Sequence, residues 1–483
     1  MKPETKLESG TLEPERNWNP QHWSPEHNWN PQNWNPNETG IRNTGARNTT
    51  GIRKTGARNK IHSCDMHLII TPENCIYRGE GNVGFVISLK KEEKVIRLEK
   101  QDVASEQITC AEDQRKKCEN QITIVNNVMK RLFGENLVHC PTLVFIHKED
   151  IKMLNGLFSH LRPKVRIHRS VKEENTYVLM LPDYCALPQD LKKLPSVGPV
   201  ISVEIKPKQG FLLKEQYAPS SPNSPLKCRF CLMQHYKMKR KVINSKNVYC
   251  PTDLFSGCPI RMQHALKMLL QFPQNNFRIF KDKELIYSEE KRIDLEEALN
   301  DFFCDSQTNY CDLLCNLVID VLLKALPGKF NEVVKYFQNG SLLNCTNAYS
   351  SCSQDGCCHE LPIGCVLYRI LCLQMLDHLH IKTLHSLYLK VKNITNESSS
   401  HIGCYSTSEI PPFFGDVCKM KDETDVQYAS RKVWEFLVAL TAQDCSIMFV
   451  LKKCLARNIT VPNPNSKYVI LLLTHPFNPD QWN

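Results

Sequence analysis

The stretch GPVISVEIKPKQG, residues 198–210, constrains this chain more than any other. A β-branched run such as VISV normally continues as a buried strand. Here it breaks into Glu204, two lysines flanking a proline, and then Gly210. A solvated strand end, with charges simply facing water, is the commoner reading of such a pattern. The alternative is a rigid mount for cations, because a strand end holds charges more firmly than a loop does. The rest of the chain decides between the two.

The chain has 483 residues, which as a soft prior means about three domains or fewer. Hydrophobic residues make up 41% and charged residues 23%, ordinary for a soluble globular protein. No apolar run approaches a membrane span, and the start MKPETKLESG has no apolar core of a signal peptide. A cytoplasmic or nuclear protein with no membrane partner is therefore expected. The 23 cysteines are an odd count in a chain without a secretory signal, so buried thiols and a few metal ligands are expected rather than a disulfide framework. The net charge of +10 suits nucleic acid, an acidic membrane face or a small polyanion, and does not choose among them.

Residues 1–62 read as a disordered low-complexity tail: Trp-Asn-Pro repeats, then a repeated block of about ten residues around TGIRNTGARN, with no apolar periodicity. Residues 63–215 read as strands with one or two helices between them. The helical spacing of ITIVNNVMKRLF stops at Gly134, and KEDIKMLNGLFSHLRP ends at Pro163. Residues 216–483 are richer in helices, with VQYASRKVWEFLVALTAQ running into the strand DCSIMFVL.

Several motifs could carry chemistry. In YRGEGNVGFV, Gly79, Gly81 and Gly84 lie between two strand-like runs. Successive backbone N–H groups without Cβ can approach a phosphate, but a plain hairpin turn fits the pattern equally well. A strand follows the loop, not a helix, which excludes the dinucleotide-binding and P-loop readings. Arg97 in VIRLEK stands where a protein kinase holds a lysine against phosphates. Asn275, Asn276 and Arg278 lie at the mouth of a hairpin, and Asp444 opens an apolar strand. Amides and a guanidinium suit phosphates, and a carboxylate can act as a base. Cys228 and Cys231 have zinc-like spacing that His235 and Cys250 could complete. Cys352, Cys357, Cys358, His359 and Cys365 form a second group that could hold structural zinc, with a thiol-rich loop as the plainer reading.

The segments RGEGN, VIRLEK, EIKPKQGF, CRFC, YCPTDLFSG, QNNFRIF, QMLD and DCSIM occur together and in this order, between about Tyr77 and Pro464. In this combination the chain resembles the inositol-pentakisphosphate 2-kinases. The resemblance implies an α/β (α+β), two-lobed inositol-phosphate kinase fold, distantly protein-kinase-like, with an N-lobe at 63–215 and a C-lobe at 216–483. It implies transfer of phosphate from ATP, with Mg²⁺, to the 2-hydroxyl of inositol 1,3,4,5,6-pentakisphosphate. By the same resemblance Gly79, Glu80, Gly81 and Asn82 belong to the nucleotide loop. Arg97 meets ATP phosphates, Leu181–Asp183 is the adenine hinge, and Glu204 lies in the nucleotide pocket. Arg166, Lys206, Lys208, Lys237, Asn275 and Asn276 bind inositol phosphates. Arg278 lies near the transferred phosphate, and Asp444 is the base. A monomer without a nucleic-acid partner is expected; the basic stretch KMKRK lacks the interleaved aromatics of such a site.

The chain departs from the family pattern at three places. Gly84 stands where members usually carry Ser or Asn. The repetitive N-terminal tail is foreign to the family. The family's metal-binding D-L-D-x-K-P segment has no counterpart in KYVILLLTHPFNPDQWN, and Asp480 does not match its context. Losing a metal ligand lowers the rate of chemistry more than it weakens binding. The alternative expectation is thus a protein that binds the inositol phosphate with little or no turnover.

Overall fold

The computed structural model describes residues 66–68, 70–81, 83–102, 110–212, 227–303, 309–326, 360–377, 379–397, 421, 423–454 and 468–475. The expectations for the tail, for Asn82 and for Cys352, Cys357, Cys358 and His359 fall outside these residues.

Two larger sheets organise a mixed α/β structure. The first contains β1 (Met66–His67), β2 (Cys75–Glu80), β3 (Gly84–Leu89), β4 (Lys94–Glu99), β6 (Thr142–Ile146) and β8 (Thr176–Pro182), in the order β1-β6-β8-β4-β3-β2. The β1–β6 pair is parallel and the other pairs are antiparallel. A small ribbon joins β5 (Gln101–Asp102) to β7 (Arg169–Ser170). Along β3, Phe85, Ile87 and Leu89 enter one buried cluster with Ile96, Leu98, Val144 and Ile151. Ser88 faces the other way, as the period of two in a strand requires.

The second sheet is β11-β10-β9-β12-β13, with β9 (Ser196–Ile205), β10 (Phe277–Lys281), β11 (Glu284–Tyr287), β12 (Ser446–Cys454) and β13 (Tyr468–His475), all antiparallel. The sequence pattern groups the VISV strand with the strands before it. Instead β9 lies between β10 and β12, whose residues come far later in the chain. Local periodicity carries the tendency to form a strand but not the identity of its partners.

The first sheet carries α1 (Ala111–Ile124) and α3 (Lys148–Phe158), while α2 (Lys130–Phe133) sends Leu132 and Phe133 into the core of the second sheet. A π-turn over Val125–Met129 joins α1 to α2, and Gly134 at φ +121° ends α2. The short α4 (Gln189–Lys192) leads into β9. The second sheet is backed by α5 (Arg229–Lys239), α6 (Pro251–Leu254), α7 (Pro259–Gln271), α8 (Leu295–Phe303), α9 (Tyr310–Leu323), α10 (Val366–Gln374), α11 (Ile381–Glu397) and α12 (Asp425–Gln443). Ile201, Val203 and Ile205 of β9 join Leu266, Leu269, Phe302, Leu371, Val438 and Phe449 in the largest core. Thr424 starts α12 with a capping box, its side chain and that of Gln427 each satisfying the other's backbone N–H. Arg431 and Lys432, fully buried on this helix, are matched by Glu423 and Glu435 at 2.8–3.1 Å. Among the described residues, no helix is long and apolar enough to cross a membrane and no cysteine is in a disulfide.

Candidate functional site

Alternation along β9 sends its second face to the first sheet. Ser202 Oγ donates to the carbonyl of Cys185 at 3.2 Å, so Glu204, two residues on, looks toward the segment that follows β8. That segment packs back: Tyr184 and Cys185 cluster with Phe280 of β10 and Met448 of β12. Arg78 of β2 crosses over to the carbonyl of Lys283 and lies 5.8 Å from the Phe280 ring. The two sheets therefore meet along the line where Glu204 emerges.

The charged end of β9 is built from several parts of the chain. Glu204 lies in register with Arg278 and Met448. Its Oε1 accepts from Ser446 Oγ at 2.9 Å, and its Oε2 meets Arg278 NH1 at 3.4 Å. Lys206 donates its backbone N–H to the carbonyl of Asn276 at 2.9 Å. Pro207 is fixed through its carbonyl by the buried Tyr249 hydroxyl at 2.8 Å. Lys208 takes a left-handed backbone, φ +61°, and its Nζ pairs with a carboxylate oxygen of Asp444. Gly210 passes so close to the Phe255 ring that a Cβ there would lie 2.3 Å from it. The YCPTDLFSG segment thus holds the EIKPKQG bend through Tyr249 and Phe255.

The electrostatics match this crowding. Burial pushes the Lys206 ammonium below its ordinary value; Lys208 and Arg278 add to the effect, while Glu204 and Asp444 oppose it. Asn276 is only 1% exposed, and neither its Oδ1 nor its Nδ2 has a hydrogen-bond partner among the described residues. A buried amide with both ends unmet costs free energy, and native proteins keep such groups where a function repays the cost. Asn275 beside it is exposed. The structure therefore brings together Glu204, Lys206, Lys208, Asn276, Arg278 and Asp444.

Other expected residues stand elsewhere. Lys237 lies exposed on α5. Arg166 follows Arg162, which donates to its carbonyl at 3.1 Å. The Glu80 carboxylate is fully buried and takes both Lys100 at 2.5 Å and Arg162 at 2.9 Å. Its side chain serves an internal ion network, which leaves only its backbone to face a nucleotide. The Asp183 carboxylate is likewise internal, accepting from Arg78 and Ser88 at 2.5 Å each and from the Cys185 N–H at 3.0 Å. It shapes the turn after β8. Gly79, at φ +138°, lies at a shift of register near the end of β2, and in the turn beyond it the Gly81 N–H reaches the Gly84 carbonyl at 2.8 Å. Arg97 of β4 lies directly against Gly84.

The Cys228, Cys231 and Cys250 sulfurs lie within 4.8 Å of one another. Hydrogen bonds from Cys228, then Cys231, hold the Cys250 thiol below its ordinary value, while hydrogen bonds with Cys231, then Cys250, push Cys228 up. One thiolate shared among three sulfurs is the donor chemistry of a zinc site. His235, the expected fourth ligand, is exposed, with its Nε2 3.4 Å from Lys227 Nζ, and does not join the cluster.

The family of inositol-pentakisphosphate 2-kinases matches residues 77–472, from the strand before the glycine turn to the strand after DCSIM. The chain belongs to this family. It is 33% identical over 403 residues to the inositol-pentakisphosphate 2-kinase of Danio rerio, covering 78% of this chain and 83% of the relative. It is 27% identical over 441 residues to the Arabidopsis thaliana protein of the same name, covering 83% and 85%. The Drosophila melanogaster protein of that name is 28% identical over 304 residues, 44% of this chain and 49% of the relative. This inositol-pentakisphosphate 2-kinase family member is thus similar to kinases, which are transferases, along nearly all of its described length.

Within the family frame, Gln374 of QMLD is the site residue that sequence reasoning left without a role. It touches three backbone groups around Lys208 and Asp444. The sequence signals were its place in QMLD and an amide at the end of a largely apolar helix.

Proposed function

We propose that this protein transfers the γ-phosphate of ATP to the 2-hydroxyl of inositol 1,3,4,5,6-pentakisphosphate, giving the hexakisphosphate and ADP. One observation carries the reading: Asn276, whose buried side-chain amide is unmatched among the described residues, takes the backbone N–H of Lys206, and Lys206 shares its surroundings with Lys208, Arg278 and the Asp444 that Lys208 pairs with. Five phosphates bring roughly −8 to −10 charges. An apolar pocket cannot hold such a ring, whereas rigid cations and amides can.

In this reading the first sheet carries the nucleotide side and the second sheet with its helices carries most of the inositol phosphate side, in a two-lobed, protein-kinase-like arrangement with the charged end of β9 between them. The backbone of Gly79–Gly81, the Arg97 guanidinium and the Leu181–Asp183 turn take the nucleotide. Lys206, Lys208, Asn275 and Asn276 take substrate phosphates, with Arg166 and Lys237 reaching in from its sides. An incoming phosphate draws Lys208 away from Asp444, which leaves the carboxylate able to accept the hydroxyl proton as oxygen attacks phosphorus and ADP departs. Arg278 offsets charge on the transferred group. Glu204, anchored by Ser446 and Arg278, offers the hard oxygen donors that Mg²⁺ prefers, and the ion takes only one or two carboxylates besides phosphates. Bound there, it would neutralise phosphate charge. The Cys228–Cys231–Cys250 cluster fits structural zinc.

The test is transfer of labelled phosphate from ATP to the pentakisphosphate by purified protein. Turnover lost in Asp444→Asn supports the reading; no turnover from well-folded wild type rejects it. One observation favours the alternative of binding without turnover: β13 ends at His475 opposite Ser446, and residues 468–475 include no carboxylate. Calorimetry separates the two readings.

A further inference from the structure

Gln374 is the last residue of α10 and has no exposed surface. Its Nε2 donates to the carbonyl of Lys208 at 2.8 Å and to that of Ala442 at 3.0 Å. Its Oε1 accepts the Gly210 N–H at 2.8 Å. The two donor hydrogens are thereby assigned to different segments, one on each side of the Lys208–Asp444 pair. Ala442 is two residues before Asp444, near the end of α12. The same turn reinforces the grip: Asp377 Oδ2 accepts from Gln443 Nε2 at 3.2 Å, and Gln443 Oε1 accepts from Arg229 NH1 at 3.2 Å.

We propose that Gln374 is a positioning residue for phosphoryl transfer, fixing through backbone carbonyls the distance between Lys208 and Asp444. The inference rests on the kinase reading above. Lys208 needs such a clamp because its left-handed backbone is strained for a residue with a Cβ. Only an amide side chain offers donors and an acceptor together in this way. A glutamate would set a carboxylate against two carbonyls, and an aliphatic chain would leave two carbonyls and an N–H unmet. Gln374 does not itself reach the reacting atoms. It acts on kcat by holding the base and the phosphate-binding cation in one geometry, where a displacement of about 1 Å can cost on the order of a hundredfold in rate.

The experiment compares wild type, Gln374→Met and Leu266→Ala, the last a core change in α7 away from the site. Phosphate transfer from ATP to inositol pentakisphosphate is measured where all three are folded by circular dichroism, with melting temperatures recorded alongside. The expected result for Gln374→Met is a fall in kcat of roughly tenfold to a hundredfold with the KM for ATP within about twofold of wild type. Leu266→Ala should lose thermal stability and keep kcat. If Gln374→Met does not fold, Gln374→Asn, which keeps the amide but withdraws it by one methylene, carries the same expectation. A folded Gln374 variant with wild-type kcat overturns the inference, as does an equal loss of kcat in Leu266→Ala. Inactive wild type instead overturns the kinase reading, and the inference with it.

Discussion

Gly84 lies flat against the Arg97 guanidinium: a Cβ at position 84 would sit 3.0 Å from both Nε and NH2 of Arg97. The two are diagonal neighbours across β3 and β4, since Val86 pairs with Arg97 and Gly84 with Glu99. The departure from the family's Ser or Asn at this place therefore has a local reason, since here the space belongs to the arginine. Replacing Gly84 by Ser should push Arg97 aside. Steady-state kinetics should show the KM for ATP raised on the order of threefold to tenfold, with inositol phosphate affinity unchanged.

Asn276 should trade stability for binding. Replacing it with Leu removes two unmet buried polar atoms and should stabilise the ligand-free protein by about 1–2 kcal/mol. The same change should reduce the rise in melting temperature produced by inositol pentakisphosphate. Thermal denaturation with and without the ligand checks both halves.

Lys206 should make binding depend on pH. Burial lowers its pKa below 10.5, so over the interval between the two values the ligand-free lysine is partly neutral. A bound phosphate restores its charge, so binding takes up a proton there and affinity falls as pH rises. Calorimetry at a series of pH values up to 10.5, in paired buffers of different ionisation enthalpy, should show this uptake as a difference between wild type and a Lys206 variant. Lys206→Met should abolish it.

Glu80 should be a stability residue with a defined pH signature. Burial raises its pKa, but the Arg162 and Lys100 hydrogen bonds outweigh that and set it below the ordinary 4.5. A depressed carboxylate pKa stabilises the fold above the unfolded value, and the gain is lost as pH falls through the folded value. Glu80→Gln should cost roughly 3–5 kcal/mol near neutral pH by stranding Lys100 and Arg162. In urea melts the gap to wild type should narrow below about pH 4.5.

Metal analysis addresses the thiol cluster. The protein should carry about one zinc per chain, lost in Cys250→Ser, and a strong chelator should lower its melting temperature. A preparation rich in zinc whose content survives Cys250→Ser would move the metal elsewhere.

Most elements of the second sheet's helical layer were legible because their apolar residues recur at helical spacing. Asp425–Gln443 stands close to where the spacing of VQYASRKVWEFLVALTAQ puts it. The partner strands of β9 were not legible, because both come from distant parts of the chain. Glu80 and Asp183 sit inside recognisable motifs, yet their carboxylates turned inward, because Lys100, Arg162, Arg78 and Ser88 reach them only after the first sheet closes.

By itself the sequence determined the family, through the order of its motifs, and set two cations at the end of VISVEIKPK. Residue type alone sets charge and hydrogen-bonding capacity, so those facts survive without coordinates. Only the tertiary structure decided which of these groups meet. The distance from Lys208 to Asp444, the stranded amide of Asn276 and the grip of Gln374 arise where separate segments pack together, and no local pattern encodes that packing.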